Sequence, residues 1–198
     1  MAHKHFKALL LVACSVLALF VASPAIQRLV ASPHAEFFTE LAIMGPYHNA
    51  TYPYNIQSNE NFTLYFDVTN HLGSLAYYLI DIKFQNETQA KDSFVGAGSD
   101  QSPLGNITFC IANSKTVELP LSISLQYTVD NQNSEKLNLK NITINSSTLN
   151  IDRRTIIWNS EKQGFFGNVF FELWLFNDTA NTFEYNQRYV SLWLKMNP

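Results

Sequence analysis

The chain has 198 residues, a net charge of −3, and only 15% charged residues with no long run of one sign. A polyanion-binding surface needs clustered Lys and Arg to displace counterions, so no nucleic-acid partner is expected. Fifteen Phe and nine Tyr stand against seven Gly and seven Pro, which favours strands, because aromatic side chains suit pleated, half-buried surfaces.

His3, Lys4, His5 and Lys7 make residues 1–7 a basic head, expected in the cytoplasm. Ala8 to Ile26 then runs without a charge, and Arg28 follows. As a helix this stretch would measure roughly 28 Å, close to a bilayer's hydrocarbon thickness. Residues 8–30 are therefore expected to be a transmembrane anchor or signal segment in contact with membrane lipid. The positive flank stays inside, so residues 36–198 are expected outside the cell membrane. Three fates are open. The segment is retained as a single-pass anchor, or cleaved after Ala25 in Ser23-Pro24-Ala25, or lipidated at Cys14 of Leu11-Val12-Ala13-Cys14. Apolar residues continuing past Cys14 speak against lipidation. Ser15, Ala18 and Ala22 put small residues at near-helical spacing, a hint of helix packing in a larger complex.

About 165 residues remain, enough for one large domain with a real core. Cys14 lies in the leader and Cys110 in an expected strand, so the exported domain has no internal disulfide to rely on. Asn-x-Ser/Thr occurs at Asn49, Asn61, Asn86, Asn106, Asn141, Asn145 and Asn177, all after the leader. Each falls in a turn or among polar neighbours, where a solvated glycan fits. The seven are read as candidate N-glycosylation sites.

Strands are expected in chain order. Phe37 to Met44 is the first, closed by Gly45-Pro46. Tyr47 to Glu60 reads as a polar connection. Asn61 to Thr69 alternates, with Phe62, Leu64, Phe66 and Val68 on one face. Asn70-His71-Leu72-Gly73 is a turn, and Tyr77 to Phe84 alternates again, so the two strands read as a hairpin. Gln85 to Gly105 is the longest loop, and Asn106 to Ala112 a short strand. Thr116 to Asp130 places seven apolar residues from Val117 to Val129 on one face. Pro120, on the other face, calls for an edge position or a bulge. Leu137 and Leu139 share one parity and Ile142 and Ile144 the other, which predicts a bulge near Lys140. Ile151 to Phe166 reads as a loop. Asn168 to Phe176 and Tyr189 to Met196 are the last strands. The fold class is all-β: an immunoglobulin-like antiparallel β-sandwich behind one hydrophobic helix.

Thr39-Glu40-Leu41-Ala42-Ile43-Met44-Gly45-Pro46, then Tyr52-Pro53, then Asn61 to Thr69 with Asn70-His71, resembles the archaeal predicted membrane proteins of domain of unknown function 1616. The strands 167–176 and 188–195 look like that family's end, so the resemblance spans roughly residues 36–196. Asn59-Glu60 stands where a Gly-Glu turn is common in the family, and one leader stands where several helices are common. The resemblance implies an archaeal, outward-facing sandwich and implies no activity. Gly45, Pro46, Asn70 and His71 read as architectural.

Chemistry is sparse. After the leader, His occurs only at His34, His48 and His71, and Cys110 has no following His, so no metal or other cofactor is expected. No Gly-x-Ser-x-Gly and no phosphate-cradling glycine loop is present, and no enzyme is expected. One feature stands out. Phe170, Trp174, Phe176, Tyr189 and Trp193 share the side opposite the core on the last two strands. Two readings compete: the loop from Ile151 to Phe166 covers them, or they form a contact face for a partner protein, a neighbouring copy or a glycan. The expected function is a membrane-anchored surface module acting by contact, with an exported carbohydrate-binding or carbohydrate-active module as the alternative.

Overall fold

The computed structural model describes residues 5, 7, 10–18, 20, 37–87, 98–130 and 134–198, without the side chains of 152–154. The expected cleavage motif at Ala25 and residues 88–97 of the expected 85–105 loop lie outside these residues. The chain divides into two units, Met1–Phe37 and Phe38–Pro198. In the first, His5, Lys7, Leu10 to Ala18 and Phe20 are helical, and Leu10, Leu11, Val12, Val16, Leu17 and Phe20 are all exposed. Among the described residues, no helix is long and apolar enough to cross a membrane.

The second unit is an all-β sandwich. Its strands are β1 (Thr39–Met44), β2 (Asn55–Ile56), β3 (Asn61–Asn70), β4 (Ala76–Asn86), β5 (Gly105–Ile111), β6 (Lys115–Val129), β7 (Lys136–Ile144), β8 (Ser147–Ile157), β9 (Phe165–Asn177) and β10 (Thr182–Met196). One sheet runs β1-β3-β6-β7-β8 and the other β2-β10-β9-β4-β5. All pairings are antiparallel except β2 with β10.

Alternation builds the core. Phe62, Leu64, Phe66 and Val68 from β3 meet Tyr78, Ile80, Ile82 and Phe84 from β4, all buried. The Phe66 and Phe171 rings sit 4.4 Å apart across the two sheets. Burying these side chains is the main stabilising term, at about 1.5–3 kcal/mol each. β3 and β4 are not a hairpin, as the sequence suggested; they belong to opposite sheets. Both bury the same kind of face, and the chain crosses between sheets at Asn70. That side chain, fully buried, donates to the carbonyls of Ser74 and Ile111 and accepts from the Leu72 amide. Asn70 and His71 therefore make an inter-sheet crossing, where the resemblance implied a hairpin turn.

The residues 151–157 are also not a loop. They end β8, and Ile156 is in the core. The β7–β8 turn puts Asn145 and Ser146 at φ 47° and 71°, the two positive values a tight two-residue hairpin turn takes. The bulge stands where the parity change placed it: register shifts between Leu139 and Asn141 leave Lys140 unpaired on both sides. Pro120 faces Tyr65 on β3, and β7 reaches β6 only from Ile123 onward. Its missing N–H thus falls where β6 is locally an edge.

β10 is fastened at its end. Tyr127, buried on β6, points its hydroxyl at the carbonyls of Ile56 (2.7 Å) and Asn197 (2.9 Å). Burial pushes this phenol up to about 12, and the Asn197 hydrogen bond pulls the other way.

Candidate interaction face

β9 is the central strand of its sheet and is buried on both sides from Phe165 to Leu173. That explains why its sequence is apolar on both parities. The inward parity feeds the core. The outward parity, Asn168, Phe170, Glu172, Trp174 and Phe176, is flanked by β4 and β10. Register sets Lys83 beside Phe170, Asp81 beside Glu172, Tyr185 beside Trp174, and Trp193 beside Asn168.

At the centre of this outward face lies an ion pair. Lys83 Nζ is 2.7 Å from Glu172 Oε2, and the two side chains are 3% and 0% exposed. Both charges also hold Ser99: its amide donates to Glu172 Oε1 at 2.6 Å, and its carbonyl accepts from Lys83 Nζ at 3.0 Å. One peptide position is thus gripped at both of its polar groups. Lys83 also lies 5.9 Å from the Trp174 ring centre. Gly98 rests on the same ring, where a Cβ would sit 2.8 Å from Trp174 Cζ2. Burial raises the half-buried Asp81 carboxyl, with Lys83 opposing the shift and Glu172 adding to it. Burial likewise raises the Tyr185 phenol to about 12, helped by Glu172 and Tyr189.

The five aromatic residues singled out from sequence therefore differ in role. Phe170 is fully buried. Trp174 is half-buried under Gly98, its ring 5.6 Å from Tyr185. Phe176 is half-buried in a cluster with Tyr77 (5.8 Å) and Phe183 (5.2 Å). Tyr189 and Trp193 stay exposed, at 40% and 37%. The segment over Trp174 is 98–101, from the β4–β5 connection, and not the 151–166 stretch considered from sequence. Trp158 packs edge-on against Phe165, 5.1 Å away. The sequence reading missed Lys83, Glu172 and Tyr185. Glu172 alone left a trace, as the one charge inside an apolar strand.

Among the described residues, no hydrogen-bond partner reaches four buried polar atoms on β9 and β10: Asn168 Oδ1, Trp174 Nε1, Tyr185 Oη and Asn186 Oδ1. Tyr185 and Asn186 border a cleft of about 390 Å³ at the β9–β10 turn, with Phe176, Asn177, Asp178 and Glu184. A cleft of about 290 Å³ adjoins it and includes Leu75, Tyr77 and the exposed Cys110.

Elsewhere in the sandwich, His48 meets Glu118 at 3.1 Å and His71 meets Glu40 at 3.0 Å. Among the described residues, no group of three His, Cys, Asp or Glu side chains could hold a metal ion.

The family model described as Domain of unknown function (DUF1616) matches residues 32–158. The chain belongs to the DUF1616 family. The match ends ahead of β9 and β10, so the outward aromatic face lies beyond the part of the chain that the DUF1616 model covers. No curated protein matches the chain. Among solved structures, it is similar to a β-glucosidase from Listeria innocua in complex with isofagomine, at 8% identity and TM-score 0.40 over 82% of this chain and 16% of that one. The same enzyme in complex with glucose gives 5% identity and TM-score 0.41 over 83% and 17%. This DUF1616 chain thus spans about one sixth of either enzyme.

Proposed function

We propose that the chain is an archaeal cell-surface subunit. A single-pass anchor holds a glycosylated, immunoglobulin-like sandwich outside the membrane, and the sandwich works by contact with a partner protein or a second copy, without catalysis. The observation that carries this reading is the exposed pair Tyr189 and Trp193 on the outward side of β10. Flanking Ser191, they offer rigid aromatic area on a strand backed by buried Phe170 and the Lys83–Glu172 pair. Rings held this way desolvate at low entropic cost and dominate interface energies. The anchor reading draws support from the apolar side chains exposed along the helical residues 10–18 and 20, the kind of surface a bilayer accepts and water does not. The non-catalytic reading draws support from the central ion pair, which is buried and commits both its charges to Ser99.

Native mass spectrometry of the full chain from the membrane fraction, in mild detergent, tests this. The wild type should run as a defined assembly, and a Tyr189→Ala/Trp193→Ala variant should run as a folded monomer. A wild-type monomer, or recovery of the chain from cytosol with bare asparagines, overturns the proposal.

The alternative, an exported carbohydrate-binding or carbohydrate-active module, is favoured by the cleft at the β9–β10 turn. Phe176 and Tyr185 supply rings there, and Asp178, Glu184 and Asn186 supply polar groups. Flat apolar surface beside a few convergent polar groups is what a sugar needs. Saturable heat on titrating the chain with oligosaccharides, lost in Tyr185→Ala, would favour this second reading.

A further inference from the structure

The seven sequons are not equivalent once folded. An N-glycan is carried on Nδ2, which must stand clear of the sheet with room for the first sugar. Asn49 is exposed, and its Oδ1 accepts the Thr51 amide at 2.9 Å, which turns the side chain across its own sequon and leaves Nδ2 unbonded among the described residues. Asn61 is exposed at the start of β3, in the stretch where β1 no longer pairs. Asn106 is exposed on β5, an edge strand paired with β4 alone. Its Thr108 points to the same side, as residues two apart on a strand do.

The other three described sequons are tied down. Asn141 lies on β7 between Gln126 of β6 and Asn150 of β8, and its Nδ2 donates to Gln126 Oε1 at 2.8 Å. Asn145 is folded back over β6: its Oδ1 accepts from the Ser122 amide, and its Nδ2 faces the Pro120 carbonyl. Asn177 knots the β9–β10 turn: its Oδ1 accepts from the Thr179 and Ala180 amides, and its Nδ2 donates to Glu184. The Asn86 sequon runs into residue 88, outside the described residues.

We propose that N-linked glycan is carried at Asn49, Asn61 and Asn106 and is absent from Asn141, Asn145 and Asn177. The inference rests on the export reading above. The donor is an oligosaccharide on an isoprenoid phosphate. The bond from sugar C1 to phosphate oxygen breaks, the phosphate leaves with the electron pair, and C1 bonds to Nδ2, which loses one proton to the transferase's base. Asn61 is on the other sheet, whereas Asn106 shares the outward face of β10, in the register row Asn106, Asp81, Glu172, Tyr189.

Peptide-level mass spectrometry of the full chain from its native membrane fraction tests the assignment. Sugar mass on the three exposed sites and none on the three tied sites is the expected result. An Asn49→Gln/Asn61→Gln/Asn106→Gln chain should then carry sugar at Asn86 at most. The variants Thr51→Ala, Thr63→Ala and Thr108→Ala should remove the sugars with the asparagines intact. Sugar on Asn141, Asn145 or Asn177 overturns this inference and leaves the export reading standing. So does a membrane-bound chain with no sugar. A cytosolic chain with bare asparagines overturns the export reading itself.

Discussion

Lys83 Nζ sits 2.7 Å from Glu172 Oε2 on the outward side of a sheet, yet both side chains are buried. The pair costs desolvation free energy that its own attraction only partly offsets. What it adds is position: it grips Ser99 at N–H and C=O and so fixes where the β4–β5 connection crosses Trp174. Removing one partner leaves an uncompensated buried charge. Lys83→Met or Glu172→Leu alone should lower stability by about 3–5 kcal/mol, and the double variant should recover most of that. Urea unfolding of the two singles and the double gives the comparison. A double variant as unstable as the worse single refutes the clamp.

Gly45 closes β1, and its close approach explains the residue. A Cβ there would stand 1.8 Å from the Thr51 carbonyl oxygen, which is backbone and has little room to yield. Gly45 also anchors the turn by donating to the Asn49 carbonyl and accepting from the His48 amide. Gly45→Ala should cost about 1–3 kcal/mol, the range for forced overpacking. Gly105 is the control, since a Cβ there meets only the tip of Leu149 at 3.3 Å. A shift in denaturation midpoint at residue 45 no larger than at residue 105 contradicts the packing argument.

How much of this could be read in the chain depends on what periodicity encodes. It encodes face. β3 and β6 alternate cleanly, and their buried sides are the ones expected. The bulge at Lys140 showed because Leu139 and Ile142 are both inward at odd and even positions. Periodicity does not encode which sheet a strand joins, so β3 and β4 looked like neighbours when they face each other across the core. β8 was hidden by its own irregularity. Leu149 and Ile151 point inward on one parity and Ile156 on the other, with the register shift between them. The outward face was legible as aromatic, but its organising pair was not. Lys83 and Glu172 are 89 residues apart, and no local pattern joins them.

Tyr127 gives a pH test with a definite sign. Its phenol is pushed up to about 12 in the folded chain, against an ordinary value of 10.0. Between those values the unfolded chain has lost the proton and the folded chain keeps it. The unfolded state therefore binds fewer protons, and stability falls as pH rises through that window. Below pH 10 the contribution is fully present. Tyr185 is raised similarly and acts in the same direction. Melting temperature should drop from pH 9.5 to 11.5, and Tyr127→Phe should flatten part of that drop. At neutral pH the same variant should cost about 1 kcal/mol for the lost hydrogen bond. A Tyr127→Phe chain with an unchanged alkaline slope removes Tyr127 from the explanation.

The outward aromatics divide into buried and part-exposed residues, and mutation should separate their roles. Phe170 is wholly buried although it points away from the core. Phe170→Ala should behave as a core truncation and cost about 3–5 kcal/mol. Tyr189 and Trp193 keep more than a third of their surface in water, so each alanine variant should cost well under the Phe170→Ala loss, about 1 kcal/mol, the centre of the range for single substitutions. Aromatic side chains that cost less than a core residue to truncate and still present ring surface on one strand face are what a contact surface requires. Chemical denaturation of the three variants decides the matter. Large losses at Tyr189 and Trp193 would make them structural, and the contact reading would then have no residues left to stand on.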